Sequence, residues 1–145
     1  TGLVGSEMCI RDSVLLVRTF VEDFWRLSVA AGWVLTKHFL LYPNPWPKPG
    51  HLKRRWHGSP ALSDLVALRG NIELHTNWLI YAEEFSLALG ITGVEAPVRR
   101  ISPAEPLSPF ERKYQASGQA LWCVTASLDD ALPSGLPQPD ADPAT

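Results

Sequence analysis

Short apolar runs and helix-spaced apolar positions take turns along residues 14–126. Val14-Leu15-Leu16-Val17 is unbroken and apolar, which predicts a buried strand. In residues 21–31, Val21, Phe24, Trp25, Leu27, Val29 and Ala30 recur at roughly helical spacing. Glu22 and Asp23 suit the positive end of that helix, and Gly32 is its stop. Phe39-Leu40-Leu41-Tyr42 is a second apolar run, ended by prolines. Leu62, Leu65, Val66 and Leu68 predict a helix over 60–68, with Ser59 as N-cap, Pro60 at the first helical position and Gly70 behind it. Ile72-Glu73-Leu74-His75-Thr76 alternates and reads as a strand. Trp78, Tyr81, Ala82, Phe85, Ala88 and Leu89 form another helix face, closed by Gly90. Residues 94–101 and 121–126 complete the strands, and 103–118 reads as a loop.

This order of strands and helices predicts an α/β fold with a mainly parallel sheet. Ligands of such sheets bind beyond the carboxyl ends of the strands. The turn at Arg18-Thr19, the loop after Tyr42 and the turn at Thr76-Asn77 all fall on that edge.

The two ends stand apart from this pattern. Residues 1–13, TGLVGSEMCIRDS, have no apolar periodicity and do not form a signal peptide. They resemble a translated sequencing-adapter stretch, so a non-native leader is expected over 1–13 and the native domain over 14–128. Residues 129–145 carry four acids, four prolines and no base, and are expected to be disordered.

Composition narrows the class. The chain has 145 residues, 46% apolar and 19% charged, enough for one domain with a core. No apolar run approaches the ~18 residues of a membrane span. Cys9 and Cys123 are far apart and in no motif, which predicts neither a disulfide scaffold nor a zinc site and suits a reducing compartment. The net charge of −2 hides an asymmetry: residues 27–63 hold no Asp or Glu but contain Lys37, Lys48, Lys53, Arg54 and Arg55. A local basic field guides an anionic partner even when total charge is slightly negative. No G-x-S-x-G, C-x-x-C or P-loop is present, so hydrolase, redox and nucleotide-triphosphate chemistry has no support.

The most informative stretch is residues 42–55, YPNPWPKPGHLKRR. Prolines at 43, 45, 47 and 49 fix their own φ and push Tyr42, Asn44, Trp46 and Lys48 toward extended backbone. A stiff loop then presents an amide and an indole, followed by His51, Lys53, Arg54 and Arg55. A flat aromatic, a hydrogen-bonding amide and cations suit a planar, anionic ligand such as a nucleotide in RNA. A proline-rich surface loop with a solvated basic run fits the same residues. Asn44 also suits a turn, and Asn77 suits a helix cap. Lys53 and Arg55 read as a solvated steering pair, and the Glu83-Glu84 pair as a helix surface. His38, His57 and His75 have no partner pattern and read as structural or surface.

YPNPWPKPGHLKRR, HTNWLIYAEEF and SPFERKYQASGQALW, in this order and spacing, resemble the bacterial tRNA (guanine-N7)-methyltransferase family. That family typically shows P-D-P-W-P-K with H-x-K-R-R, then T-D-W followed by a Tyr, then T-x-F-E-x-R. The resemblance covers residues 14–126. It implies a partial Rossmann-like class I S-adenosylmethionine-dependent methyltransferase sheet, mostly parallel with an antiparallel last strand. Val14–Val17 would be the third strand, residues 38–42 the fourth and 70–76 the fifth. No G-x-G-x-G occurs, so the first two strands and their cofactor turn are expected to be missing, leaving an exposed apolar edge on the fourth strand.

The resemblance further implies a cytoplasmic enzyme that transfers a methyl group from S-adenosyl-L-methionine to a base in tRNA, without metal or membrane. By it, Asn44, His51 and Arg54 are catalytic, and Trp46, Lys48, Asn77, Tyr81, Ser108 and Glu111 bind substrate. Thr19 and Asn44 face the cofactor. Guanine N7 is already a lone-pair nucleophile, so the task is mainly positioning. The sequence departs from the family in carrying Asn44 and Asn77 where acids are usual, Thr19 for an acid, Gly50 for an Arg and Ser108 for a Thr. A carboxylate accepts charge-assisted bonds that an amide cannot. Two other readings stay open: a catalytically lapsed RNA- or partner-binding module, and a methyltransferase acting on an exocyclic amine or small molecule, to which the Asn44-Pro45-Trp46 order also points.

Overall fold

The computed structural model describes residues 8–11 and 14–132. The proposed leader residues 1–7 and 12–13, and residues 133–145 of the tail, lie outside the described residues. Chain order is β1 (Met8–Arg11), β2 (Val14–Val17), α1 (Val21–Ala30) and β3 (Lys37–Leu41), then two short 3-10 turns (Pro49–Arg54 and Trp56–Gly58). α2 (Ala61–Ala67), β4 (Asn71–Thr76), α3 (Leu79–Ile91), β5 (Val98–Ile101), α4 (Pro109–Ala116) and β6 (Leu121–Ser127) follow.

The main sheet is mixed, in the order β3-β4-β6-β5. β3 and β4 are parallel, Leu40 facing Leu74. β6 runs antiparallel to both β4 and β5, His75 facing Cys123 and Arg99 facing Cys123 from the other side. Among the described strands of this sheet β3, β4 and β5 therefore run in one direction and the last strand, β6, runs against them, as expected of a mostly parallel sheet with an antiparallel last strand. Val14–Val17 is a strand but not a buried one. It pairs antiparallel with β1 in a separate ribbon, and Val14 and Leu16 are more than 60% exposed.

The core lies on one face of β4 and β6. Ile72, Leu74 and Val124 point there with Leu65, Val66, Tyr81, Phe85 and Leu89, all at 0–1% exposure. α2 and α3 supply the helical half, as their spacing predicts. Ser59 Oγ accepts the Ala61 N–H at 3.2 Å where the helix begins. Gly70 leads into β4 with φ +83°, and a Cβ there would meet the Leu35 carbonyl oxygen at 2.3 Å, so both conformation and space require glycine.

Two expectations are corrected by packing. The segment 103–118 contains α4, which Ser108 caps by accepting the Glu111 N–H at 3.2 Å, with Pro109 at the first helical position. The chain also stays ordered past 128: Leu128–Asp130 form a 3-10 turn, Asp129 accepts the Gly70 N–H, and the Leu132 N–H donates to Thr92. At the opposite side β3 is an edge strand with Phe39 half exposed. An open apolar groove of about 640 Å³ runs between β2, α1 and β3, lined by Leu15, Leu16, Phe24, Trp33 and Phe39.

Candidate active site

The parallel pair β3–β4 places the loop after Tyr42 at the carboxyl edge of the sheet, where the Tyr42 N–H donates to the His75 carbonyl at 2.8 Å. The prolines do not hold the whole loop extended. Lys48 is extended (φ −69°, ψ 137°), but Tyr42 and Trp46 have φ +52° and +44°. Left-handed backbone at bulky residues costs on the order of 1–3 kcal/mol each and persists only where surroundings enforce it. Here they do. The Tyr42 hydroxyl donates to Glu111 Oε1 at 2.8 Å, and the Trp46 carbonyl accepts from Arg55 Nε at 3.0 Å.

Between these anchors, Asn44 is exposed and its Oδ1 accepts the Trp46 N–H at 3.3 Å, an Asx turn. The Arg54 guanidinium sits 4.9 Å over the Trp46 ring, and the His51 ring meets the same indole edge-on at 5.5 Å. Thr19, Asn44, Trp46, Arg54 and Tyr81 all line one cavity of about 270 Å³. Tyr81 is buried, its phenol pushed up to about 12 by that burial. Its oxygen accepts the Trp56 N–H at 3.3 Å. Glu22 also lines the cavity and is the acid among its lining residues. Sequence reasoning left Glu22 as a partner of the helix dipole; its position after the Arg18-Thr19 turn was the available signal.

The other candidates lie elsewhere. Lys48 is exposed ahead of the first 3-10 turn. Asn77 does not cap α3; its Nδ2 donates to Gln119 Oε1 at 2.8 Å, while Thr76 Oγ1 accepts the Trp78 N–H. Ser108 is the cap of α4. Glu111 is fully buried and faces inward. Its Oε1 lies 2.5 Å from His75 Nδ1 and its Oε2 accepts the Leu107 N–H at 2.7 Å. Burial alone would raise the Glu111 carboxyl; Leu107, His75 and Tyr42 together hold it below the usual range.

His75 is therefore more than a filler. Its Nε2 meets Glu73 Oε1 at 2.8 Å, so carboxylates flank both ring nitrogens. Burial lowers its pKa, but hydrogen bonds to Cys123, Glu73 and Glu111 outweigh that and push it up to about 9. Glu73 is held low in turn by His75 and by Lys37, whose Nζ donates to Oε2 at 3.1 Å.

Arg55 is not solvated, and its partner Glu84 is only partly so. The Arg55 side chain is 6% exposed; Nη1 donates to both Glu84 oxygens at 2.9 and 2.7 Å, and the guanidinium stacks 5.0 Å over Trp78. His57 Nε2 donates to Glu84 Oε2 at 2.7 Å, and its Nδ1 is buried without a partner. Of the predicted steering pair, Lys53 is exposed as expected, and Arg55 instead clamps the loop. The reason is local: the 3-10 turn ends at Arg54, so Arg55 turns inward while Lys53 and Arg54 stay outside.

Comparison with known proteins finds curated relatives that share one name. The chain is 34% identical to the tRNA (guanine-N(7)-)-methyltransferase of Chromohalobacter salexigens over 104 residues, 61% of this chain and 40% of that protein. It is 34% identical to the protein of the same name from Treponema pallidum over 106 residues, 68% of this chain and 41% of that one. With the Leifsonia xyli protein of that name, identity is 26% over 120 residues, 76% and 52% of the two chains. No family model matches. The chain spans about two fifths of the first two of these proteins and about half of the third. It is a divergent relative of the bacterial tRNA (guanine-N7)-methyltransferases.

Proposed function

We propose that this relative of the tRNA (guanine-N7)-methyltransferases forms the base-facing part of an S-adenosylmethionine-dependent enzyme that methylates a base in tRNA. The observation that carries this reading is the convergence of Thr19, Asn44, Trp46, Arg54 and Tyr81 on one cavity beyond the parallel strands β3 and β4. In this reading Trp46 offers a flat face backed by Arg54, and His51 and Arg54 meet phosphate. Glu22 and Asn44 address the base edge, Glu22 supplying a carboxylate that the Asn44 position lacks. The exposed Lys53 and Arg54 attract the polyanion.

The methyl donor does not fit the described residues alone. They hold no glycine-rich turn after a strand, and about 270 Å³ falls below the roughly 300–1,000 Å³ of small-molecule sites. The free edge of β3, with its apolar groove, suits the pairing of the first two strands of a class I methyltransferase sheet, which would bring that turn. The residues of this chain orient the base and exclude water. Guanine N7 needs no proton removed before attack, so none of them has to act as a base.

The test is transfer of tritiated methyl from S-adenosylmethionine to tRNA by the protein carrying the donor-binding strands, with the product mapped by N7-specific strand cleavage. Methylation at guanine N7 is expected. Asn44→Asp is expected to raise it roughly tenfold, the worth of converting a neutral bond to a charge-assisted one. A second reading is a lapsed RNA-binding module, favoured by the engagement of Asn44 Oδ1 with Trp46. It predicts tRNA binding with no transfer from either variant. Transfer to an exocyclic amine would overturn both in favour of an amine methyltransferase.

A further inference from the structure

We propose that Glu73, His75 and Cys123 bind one divalent transition-metal ion of the zinc class, tying β4 to β6. A carboxylate oxygen, an imidazole nitrogen and a thiol sulfur from these residues all lie within 4.8 Å of one another. The sheet makes this arrangement. Glu73 and His75 are two apart on β4 and so share a face, and Cys123 is the direct partner of His75 on β6. Glu73 Oε1 is 2.8 Å from His75 Nε2 and 3.9 Å from Cys123 Sγ. Zinc–ligand bonds of about 2.0–2.3 Å set tetrahedral ligand atoms roughly 3.3–3.8 Å apart. The Glu73–Cys123 separation is thus already near working spacing, the Glu73–His75 pair has to open by about half an ångström, and the third separation lies within 4.8 Å.

The surroundings are those of a metal histidine. The other ring nitrogen, Nδ1, faces Glu111 Oε1, and that carboxylate is itself fixed by the Leu107 N–H and the Tyr42 hydroxyl. A carboxylate behind a ligating histidine sets the ring and raises its basicity. Lys37 holds the second oxygen of Glu73, leaving Oε1 to face inward. A cavity of about 380 Å³ reaches Glu73 and His75 past Arg99 and Glu105, giving a path of entry and room for a fourth, water ligand. The mixed sulfur, nitrogen and oxygen set selects zinc-like ions over calcium or magnesium. On binding, the proton between His75 and Glu73 and the thiol proton of Cys123 pass to solvent, and the ion takes their place.

The spacing of cysteines along the chain does not reveal such a site, because one ligand comes from a strand some fifty residues away. The test is titration of the metal-stripped full chain with Co²⁺. One equivalent is expected to bind with a sulfur-to-cobalt charge-transfer absorption, and Zn²⁺ is expected to displace it. Cys123→Ala removes the band, and His75→Gln weakens binding at least tenfold, while Cys9→Ser changes neither. In the unaltered chain Zn²⁺ also protects Cys123 from alkylation, a measurement that needs no variant to fold. No charge-transfer band, a band that survives Cys123→Ala or disappears in Cys9→Ser, or alkylation indifferent to Zn²⁺ would overturn the proposal.

Discussion

His57 and His75 are both buried against glutamates, yet they are held in opposite protonation states. His57 has one carboxylate neighbour, Glu84, at Nε2. Burial keeps its pKa below the ordinary value, the Glu84 bond opposing this and the Arg55 charge adding to it. The neutral ring leaves Nδ1 as a bare lone pair, a smaller loss than a buried N–H with no acceptor would be. His75 has carboxylates at both nitrogens, so only the doubly protonated ring satisfies both. Burial lowers both rings; at His75 it is outweighed by Cys123 and the two flanking carboxylates, and at His57 the single carboxylate does not outweigh it. Each histidine also belongs to a cluster that fixes one end of the same loop. The His75–Glu111 cluster holds Tyr42, and the Arg55–Glu84–His57 cluster holds Trp46. The far end rests on a permanent guanidinium; the near end rests on a titrating ring.

That contrast can be broken in graded ways. Arg55→Met is expected to have the largest effect, roughly 3 kcal/mol lost in urea denaturation, since it removes the buried guanidinium that binds both Glu84 oxygens and holds the Trp46 carbonyl. A pH series comes next. The folded pKa of His75 lies above its unfolded value, so its contribution is full below pH about 6.5 and is lost as pH rises through about 9, on the order of 3 kcal/mol. His57 is shifted downward, so the unfolded chain takes the proton first, and stability falls as pH drops below about 6.5. His75→Gln is expected to flatten the alkaline slope, and His57→Gln the acid one. If both variants flatten the same limb, the contrast is wrong. Tyr42→Phe should cost about 1.5 kcal/mol through the lost charged hydrogen bond, and proton NMR should report a changed His75 titration with His57 unmoved. Ser108→Ala removes the α4 cap for about 1 kcal/mol in thermal melts, and should disturb His75 slightly by loosening Glu111.

Much of the frame was legible because it depends on local pattern. The helical spacing around Phe85 and the alternation around Leu74 gave α3 and β4, and the element order brought the 42–55 loop to the sheet edge. α4 was missed although Ser108, Pro109 and Glu111 spell a capping sequence; its short, polar face gave no apolar periodicity. Of the residues lining the proposed cavity, Thr19, Asn44, Trp46, Arg54 and Tyr81 were among those singled out in the sequence, and Glu22 was not. Arg55 read as surface because a charged residue carries no mark of its burial until its partner is known.

The sequence by itself determined the α/β alternation, the place of the proline loop, the local basic field and the family likeness, all of which reside in spacing along the chain. The tertiary structure alone decided which charges are inside. It brings Arg55 against Glu84, 29 residues away, and Glu111 against His75, 36 residues away, and no pattern of nearest neighbours encodes such distances. The same antiparallel register set Cys123 beside Glu73 and His75, because pairing between strands, not sequence separation, decides which donors can share an ion.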